Sequence, residues 1–310
     1  MTTPTKQPRI ELAPWQFEIE GFVFGHGTRI PVGNIEGLGS PATRPQDVDN
    51  PTGDGTFPGQ DFYGTRTLRI EAGIKTPGDP AAAADLLARL ELALDDPAAR
   101  TRPEGRHVLR GRWPGHRTRR MYGRLRRAEA TSTTTAINGW IPLDLEFAGT
   151  DPRWYDDELS QLPLGLDQAA RPKDRDNTAD QTLCAPETCG HTAPGERPGW
   201  ITNQGNVSTW PSIRIHGPVA NPRIWNTVTR RVLELRLSLR AGEWVEMETR
   251  PNTCWALRNG TVNVANDLTA ASRLDLFAIP RGRSEIGWSG DDPTGTARLE
   301  VSWRSAYTAL

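Results

Sequence analysis

The segment ARLEVSWR, residues 297–304, alternates without a break: Ala297, Leu299, Val301 and Trp303 fall on one face, Arg298, Glu300, Ser302 and Arg304 on the other. A period of two belongs to a strand with one face on a core and one toward water. Upstream the same pattern recurs at Ile213 and Ile215, at Leu233, Leu235, Leu237 and Leu239, at Val245 and Met247, and at Val262 and Val264. Polar residues separate each pair, and Gly, Pro and Asn turns separate the runs. This predicts an antiparallel β-sandwich over residues 200–310.

Residues 156–199 lose that periodicity. Prolines at 163, 172, 186, 194 and 198 and the polar run 173–177 predict a linker or decorated loop. Residues 1–155 form a second domain. Strands are expected at Trp15–Glu20, at Leu68–Ile74, in a hairpin of 106–112 and 118–128 around Pro114-Gly115, and at Ile141–Phe147. One helix is expected at 79–94: Asp79 caps it, Pro80 takes its first turn, and Leu86, Leu87, Leu90 and Leu94 form one stripe. Residues 33–64 carry Pro41, Pro45, Pro51, Gly53, Gly55, Pro58, Gly59 and Gly64 and read as a long ordered loop or arm rather than a core element. The fold class is mainly β: a β-rich N-terminal domain with one helix, then a C-terminal sandwich.

Composition agrees. A chain of 310 residues fits two domains, and 30 glycines with 26 prolines favour short strands and turns over helix bundles. No apolar run reaches the ~20 residues that span a bilayer, and the first ten residues lack a signal-peptide core. Three cysteines are too few for a disulfide framework and suit a reducing compartment.

The net charge of −1 conceals a partition. Residues 1–96 hold 8 basic and 14 acidic side chains, a net of −6; residues 97–130 hold 11 and 2, a net of +9; residues 131–200 hold 5 and 12, a net of −7. A basic block between acidic segments suits charge pairing within a molecule or between copies. Arg117, Arg119, Arg120, Arg124, Arg126 and Arg127 are the candidate interface residues. Trp113 and Tyr122 have no spacing for base stacking, so no specific nucleic-acid partner is expected. Of 37 basic residues only Lys6, Lys75 and Lys173 are lysine, which coding bias or arginine-rich interfaces both produce.

Chemistry-bearing clusters are sparse. Cys184 and Cys189 are separated by four residues with His191 nearby, a half-set of zinc ligands to which Cys254 would add a fourth; a Cys184–Cys189 disulfide is the alternative, and free thiols the default. Asp156-Asp157-Glu158 and Asp291-Asp292 place carboxylates side by side, where strand neighbours point apart, and are expected to be solvated turn charge. His26 has no nucleophile near it in sequence, and no G-x-S-x-G, phosphate loop or dinucleotide fingerprint occurs. No catalytic residue, metal or cofactor is expected. Eleven tryptophans supply core or interface packing, or, if exposed, sugar-stacking surfaces; Trp303 reads as core, while Trp210, Trp225 and Trp255 lie near strand ends.

Four stretches carry a resemblance: 151–155 (DPRWY), 203–226 (NQGNVSTWPSIRIHGPVANPRIWN), 239–263 (LRAGEWVEMETRPNTCWALRNGTVN) and 279–307, ending RLEVSWRSAY. Their order and spacing, with the helix at 79–94, resemble the distal tail proteins of long-tailed siphoviruses, the Dit family. The segments 33–64 and 160–199 are long for that family. The resemblance implies a homohexameric ring in the virion at the distal end of the tail, assembled in the host cytoplasm. It implies an N-terminal ring domain and an outward C-terminal sandwich like galectins or carbohydrate modules. Partners would be the tail tube protein, the baseplate hub protein and, peripherally, receptor-binding or tail-fibre proteins, with no membrane. The alternative is a glycan-binding tail-tip protein acting through that sandwich. A tube-terminating protein and a cell-wall hydrolase stand further off. The long 33–64 segment is a candidate arm toward a neighbouring subunit or ring.

Overall fold

A computed structural model of the chain describes residues 10–94, 97, 105–166, 198–251 and 253–310. The chain divides into two units, one running to Asp157 and completed by Tyr307–Leu310, the other Glu158–Ala306.

The first unit contains β1 (Gln16–Ile19), β2 (Phe22–Gly25), β3 (Val32–Glu36), four two-residue strands β4 (Thr43–Arg44), β5 (Val48–Asp49), β6 (Thr56–Phe57) and β7 (Phe62–Tyr63), then β8 (Arg66–Lys75), α1 (Pro80–Leu94), β9 (His107–Arg112), β10 (Arg119–Ala130), β11 (Trp140–Gly149) and β12 (Trp154–Asp156). The main antiparallel sheet has the order β2-β1-β9-β10-β11-β8-β3, with β12 also on β10. Its core face is written in the alternation: Ile141, Leu143, Leu145 and Phe147 of β11 lie beside Leu68, Ile70 and Ile74 of β8. Each such side chain stabilises by roughly 1.5–3 kcal/mol when fully buried. Helix α1 adds Ala83 and Leu90 to that core, with Leu86 and Leu87 packed against it. Asp79 caps the helix as expected, its Oδ1 accepting the Ala82 N–H at 2.9 Å.

The second unit contains β13 (Ser160–Gly165), β14 (Trp200–Asn203), β15 (Ser212–His216), β16 (Val219–Asn226), β17 (Arg231–Glu234), β18 (Ser238–Leu239), β19 (Trp244–Glu248), β20 (Trp255–Arg258), β21 (Val262–Asn263), β22 (Gly282–Asp291) and β23 (Arg298–Trp303). One sheet has the order β13-β23-β15-β19-β20-β21; the other is β14-β22-β16-β17, with β18 on β16. Ile213, Met247 and Val301 of the first and Ile224, Ile286 and Trp288 of the second share one buried core. Two antiparallel sheets facing one apolar layer are a sandwich. Trp303 lies in that core, as its strand parity required.

Three expectations need correcting. The linker expected at 156–199 opens instead with β13, which pairs with β23 from Ser160↔Trp303 to Gly165↔Arg298; Pro163 is tolerated there because β13 is an edge strand. Residues 33–64 are not all loop, since β3 joins the main sheet, pairing Ile35 with Ile70. The single strand expected over 233–239 is two, β17 and β18. Its partner β16 bulges between Ala220 and Arg223, where Asn221 takes φ 49° and Pro222 has no N–H to give.

Candidate functional site

The first unit gathers its arginines into two buried clusters. Across β1, β9, β10 and β12, register places Glu18 beside Arg110, Arg110 beside Arg120, and Arg120 beside Tyr155. Two arginines directly opposite would repel. Asp157 resolves the conflict: its Oδ2 accepts from Arg110 Nε at 3.2 Å and Nη2 at 2.9 Å, and its Oδ1 accepts from Arg120 Nε at 2.9 Å and from Nη2. Glu18 Oε2 adds a fourth charge 3.2 Å from Arg110 Nη1. Burial alone would raise the Asp157 carboxyl; Arg120 and Arg110 overcome it and hold the group below the ordinary carboxylate value. The solvated turn charge expected of Asp156-Asp157-Glu158 therefore fails at Asp157, which is buried.

Arg66 forms the second cluster. Its side chain is 2% exposed and donates to five carbonyls: Gly37, Leu38 and Gly39 before β4, Pro152 before β12, and Thr308 at the C-terminus, at 2.5–3.4 Å. Burial lowers the pKa of this guanidinium. Arg119 holds the same C-terminal segment, with its guanidinium 3.6 Å from the Tyr307 ring centre and Nη1 2.7 Å from the Ala309 carbonyl. Arg66 was missed in the sequence, yet it shares strand parity with Leu68 and Ile70, an inward charge that signals a buried partner set.

The six candidate arginines are thus not one surface. Arg119 and Arg120 serve the interior of the unit, and Arg124 Nε donates to the Gly105 carbonyl at 3.1 Å. Arg127 meets Glu129 at 2.6 Å and lines a cleft of about 370 Å³ with Glu36, Arg69, Glu71, Asp144 and Glu146. Arg117 and Arg126 are exposed.

A larger groove, about 560 Å³, lies at the end of β1 and is lined by Trp15, Phe17, His26, Val32, Leu38 and Trp113 among others. Trp15 is 47% exposed, and its ring centre is 4.1 Å from that of Trp113. The Trp15 backbone takes φ 65°, unusual for a bulky residue. Its N–H donates to the Arg112 carbonyl at 2.8 Å and its carbonyl accepts from His26 N–H at 3.1 Å. Gly25, at φ 117°, lets this happen, because a Cβ there would stand 2.2 Å from the Trp15 carbonyl oxygen.

In the second unit Trp288 and Trp303 are core, and Trp210 Nε1 donates to the Asp275 carbonyl at 3.0 Å. Trp225 is half-buried and packs against Gly287, whose Cβ would stand 2.4 Å from the indole; Trp255 is exposed. Cys254 is a free thiol, raised to about 11 by burial, Asp275 and Glu248. The zinc candidates Cys184, Cys189 and His191 lie outside the described residues. Asp291 and Asp292 sit at the end of β22, and Asp292 accepts from the Thr294 and Ala297 N–H groups at 2.8 Å, a turn role as expected.

No family model matches the chain, and no curated protein matches it. Solved structures do. The Dit protein of phage SPP1, described as a paradigm of the hub adsorption apparatus in phages that infect Gram-positive bacteria, is similar at a TM-score of 0.57 and 12% identity, over 94% of this chain and 98% of that one. A chain of the phage P2 baseplate in its activated conformation is similar at 0.51 and 10%, over 93% and 97%, in both its Ca and Sr structures. The chain shares the fold of these phage proteins across both of its units.

Proposed function

We propose that this chain is a structural, non-enzymatic virion protein: a distal tail ring of six copies that joins the tail tube to the baseplate hub. The observation that carries the reading is that the likeness to SPP1 Dit spans 94% of this chain, so both units are included rather than one common sandwich. In this reading the first unit forms the ring and the sandwich projects from it. Ring closure uses two different patches on each subunit. Arg117, in the turn before β10, and Arg126 and Arg127, within β10, are exposed at separate points, and each faces acidic groups of the next copy. Arg119 and Arg120 act behind them, holding the strands that carry them. The tube protein, the hub protein and peripheral receptor-binding proteins are the partners, and the ring is assembled in the host cytoplasm.

Negative-stain images of the purified chain test this. Six-fold rings with a central channel are expected. Replacing Arg117, Arg126 and Arg127 together by Glu is expected to disperse them; rings that persist in that variant would remove these arginines from the interface.

A second reading, glycan attachment through the sandwich, is favoured by Trp225 and Trp255. Partly exposed indoles on the sandwich present the kind of apolar ring surface on which sugars stack. A glycan array with wild type and W225A decides it: retention lost in the variant supports binding, and no retained glycan removes it.

A further inference from the structure

We infer that the hairpin arm of one copy seats its apolar side chains in the Trp15–Trp113 groove of a second copy; this rests on the ring reading. The arm is ordered by its own ladder. Thr43 pairs with Tyr63, Arg44 with Phe62, Val48 with Phe57 and Asp49 with Thr56, and the tip closes where Asn50 N–H donates to the Gly55 carbonyl at 3.0 Å. Residues 42–49 and 51–63 are all exposed. Among them are Val48 (63%), Phe57 (58%), Phe62 (45%) and Tyr63 (52%), four large apolar side chains on a hairpin with no body behind it. Such a surface signals an interaction rather than a free tip.

Val48 and Phe57, near the tip of the arm, lie several residues along the ladder from its own groove. That groove is lined by Val32, Ile35 and Leu38, at the root of the arm. From Ala42 to the tip at Asn50 the hairpin extends about 26 Å at ~3.3 Å per residue. The groove is otherwise suited to the role. None of the side chains lining it is an Asp, Glu, Lys or Arg. Its volume falls in the range that holds ligand-sized groups, enough for aromatic rings from a hairpin. The left-handed Trp15, held by Gly25 and two backbone hydrogen bonds, is local strain spent on presenting an exposed indole.

Charge selects a second copy as the occupant. The arm carries Asp47, Asp49, Asp54 and Asp61 against Arg44 alone. The groove's Trp113 is preceded by Arg112 and shares its turn with His116 and the exposed Arg117. An acidic hairpin with apolar teeth thus meets an uncharged groove whose Trp113 side is basic, where Glu11 lies 3.9 Å from Arg112 and Arg117 is exposed. One-way contacts of this kind, each copy's arm in the groove of the next, are heterologous and propagate around a ring.

The test places the photoreactive residue p-benzoylphenylalanine at position 57 of the full chain. Isotope-labelled and unlabelled copies are mixed, irradiated after assembly and mapped by mass spectrometry. Adducts between copies on the peptides holding Trp15 or Trp113 are expected. A paired measurement compares W15A, F57A and the double variant: each is expected to weaken assembly about thirtyfold, with little further loss in the double. Rings whose adducts lie elsewhere, or that form none, overturn the groove while leaving the ring. A chain that never assembles overturns the ring reading itself, and this inference with it.

Discussion

The two units spend their charges differently. In the first, Arg66 and Arg110 are 2% and 8% exposed and Asp157 is 7% exposed. In the second, the ion pairs Arg214–Glu246 (2.9 Å), Arg258–Glu243 (2.5 Å) and Arg273–Asp275 (2.7 Å) lie at the surface over an apolar core. The difference follows from topology. The sandwich is built of sheet ladders that satisfy their own backbone, whereas the first unit joins segments 10, 37–39, 152 and 308, whose carbonyls have no ladder partner and take guanidinium donors instead. Buried charge here acts as a clasp among distant pieces of chain.

The largest effect expected from this contrast is at Asp157. D157A takes the shared carboxylate from Arg120 and leaves Arg110 with the Glu18 carboxylate, and is expected to cost about 3–5 kcal/mol, read by urea unfolding followed by a probe of the first unit. A loss below about 1 kcal/mol would make the cluster no different from the surface pairs. Next is removal of residues 307–310, which takes away the Tyr307 ring under Arg119 and acceptors for Arg66 and Arg119. About 3 kcal/mol is expected, since each hydrogen bond to a charged group contributes roughly 1.5–3. An unchanged melting temperature would show that the clasp holds without its C-terminal strap.

Acid sharpens the comparison. The Asp157 carboxyl is depressed in the fold, so its stabilisation is complete above the unfolded value near ~3.9 and is lost as pH falls through the folded value. Stability measured from pH 6 downward is expected to fall more steeply in wild type than in D157N. Parallel acid limbs would contradict this. The smallest effect is at the surface: R214A is expected to change stability by less than about 1 kcal/mol, and a loss above 2 kcal/mol would erase the contrast.

The sandwich was legible because every inward position of 297–303 obeys one parity, and α1 because Asp79 and Pro80 announce it. What escaped were contacts made across distance. The run Asp156-Asp157-Glu158 reads as turn charge until β9 and β10 bring Arg110 and Arg120 to it. The leucines of 233–239 read as one strand because nothing in them reports the bulge at Asn221-Pro222 of their partner. The prolines and glycines of 33–64 marked an arm, but not that four exposed apolar side chains ride on it. Trp15 gave no signal in its own segment; Gly25 permits its backbone from ten residues away.

A ring-forming first unit requires a hexamer in solution. Light scattering of the purified chain at neutral pH measures this most directly. A species of about 205 kDa, six times 34.2 kDa, is expected; a 34.2 kDa monomer at every concentration would rule the ring out.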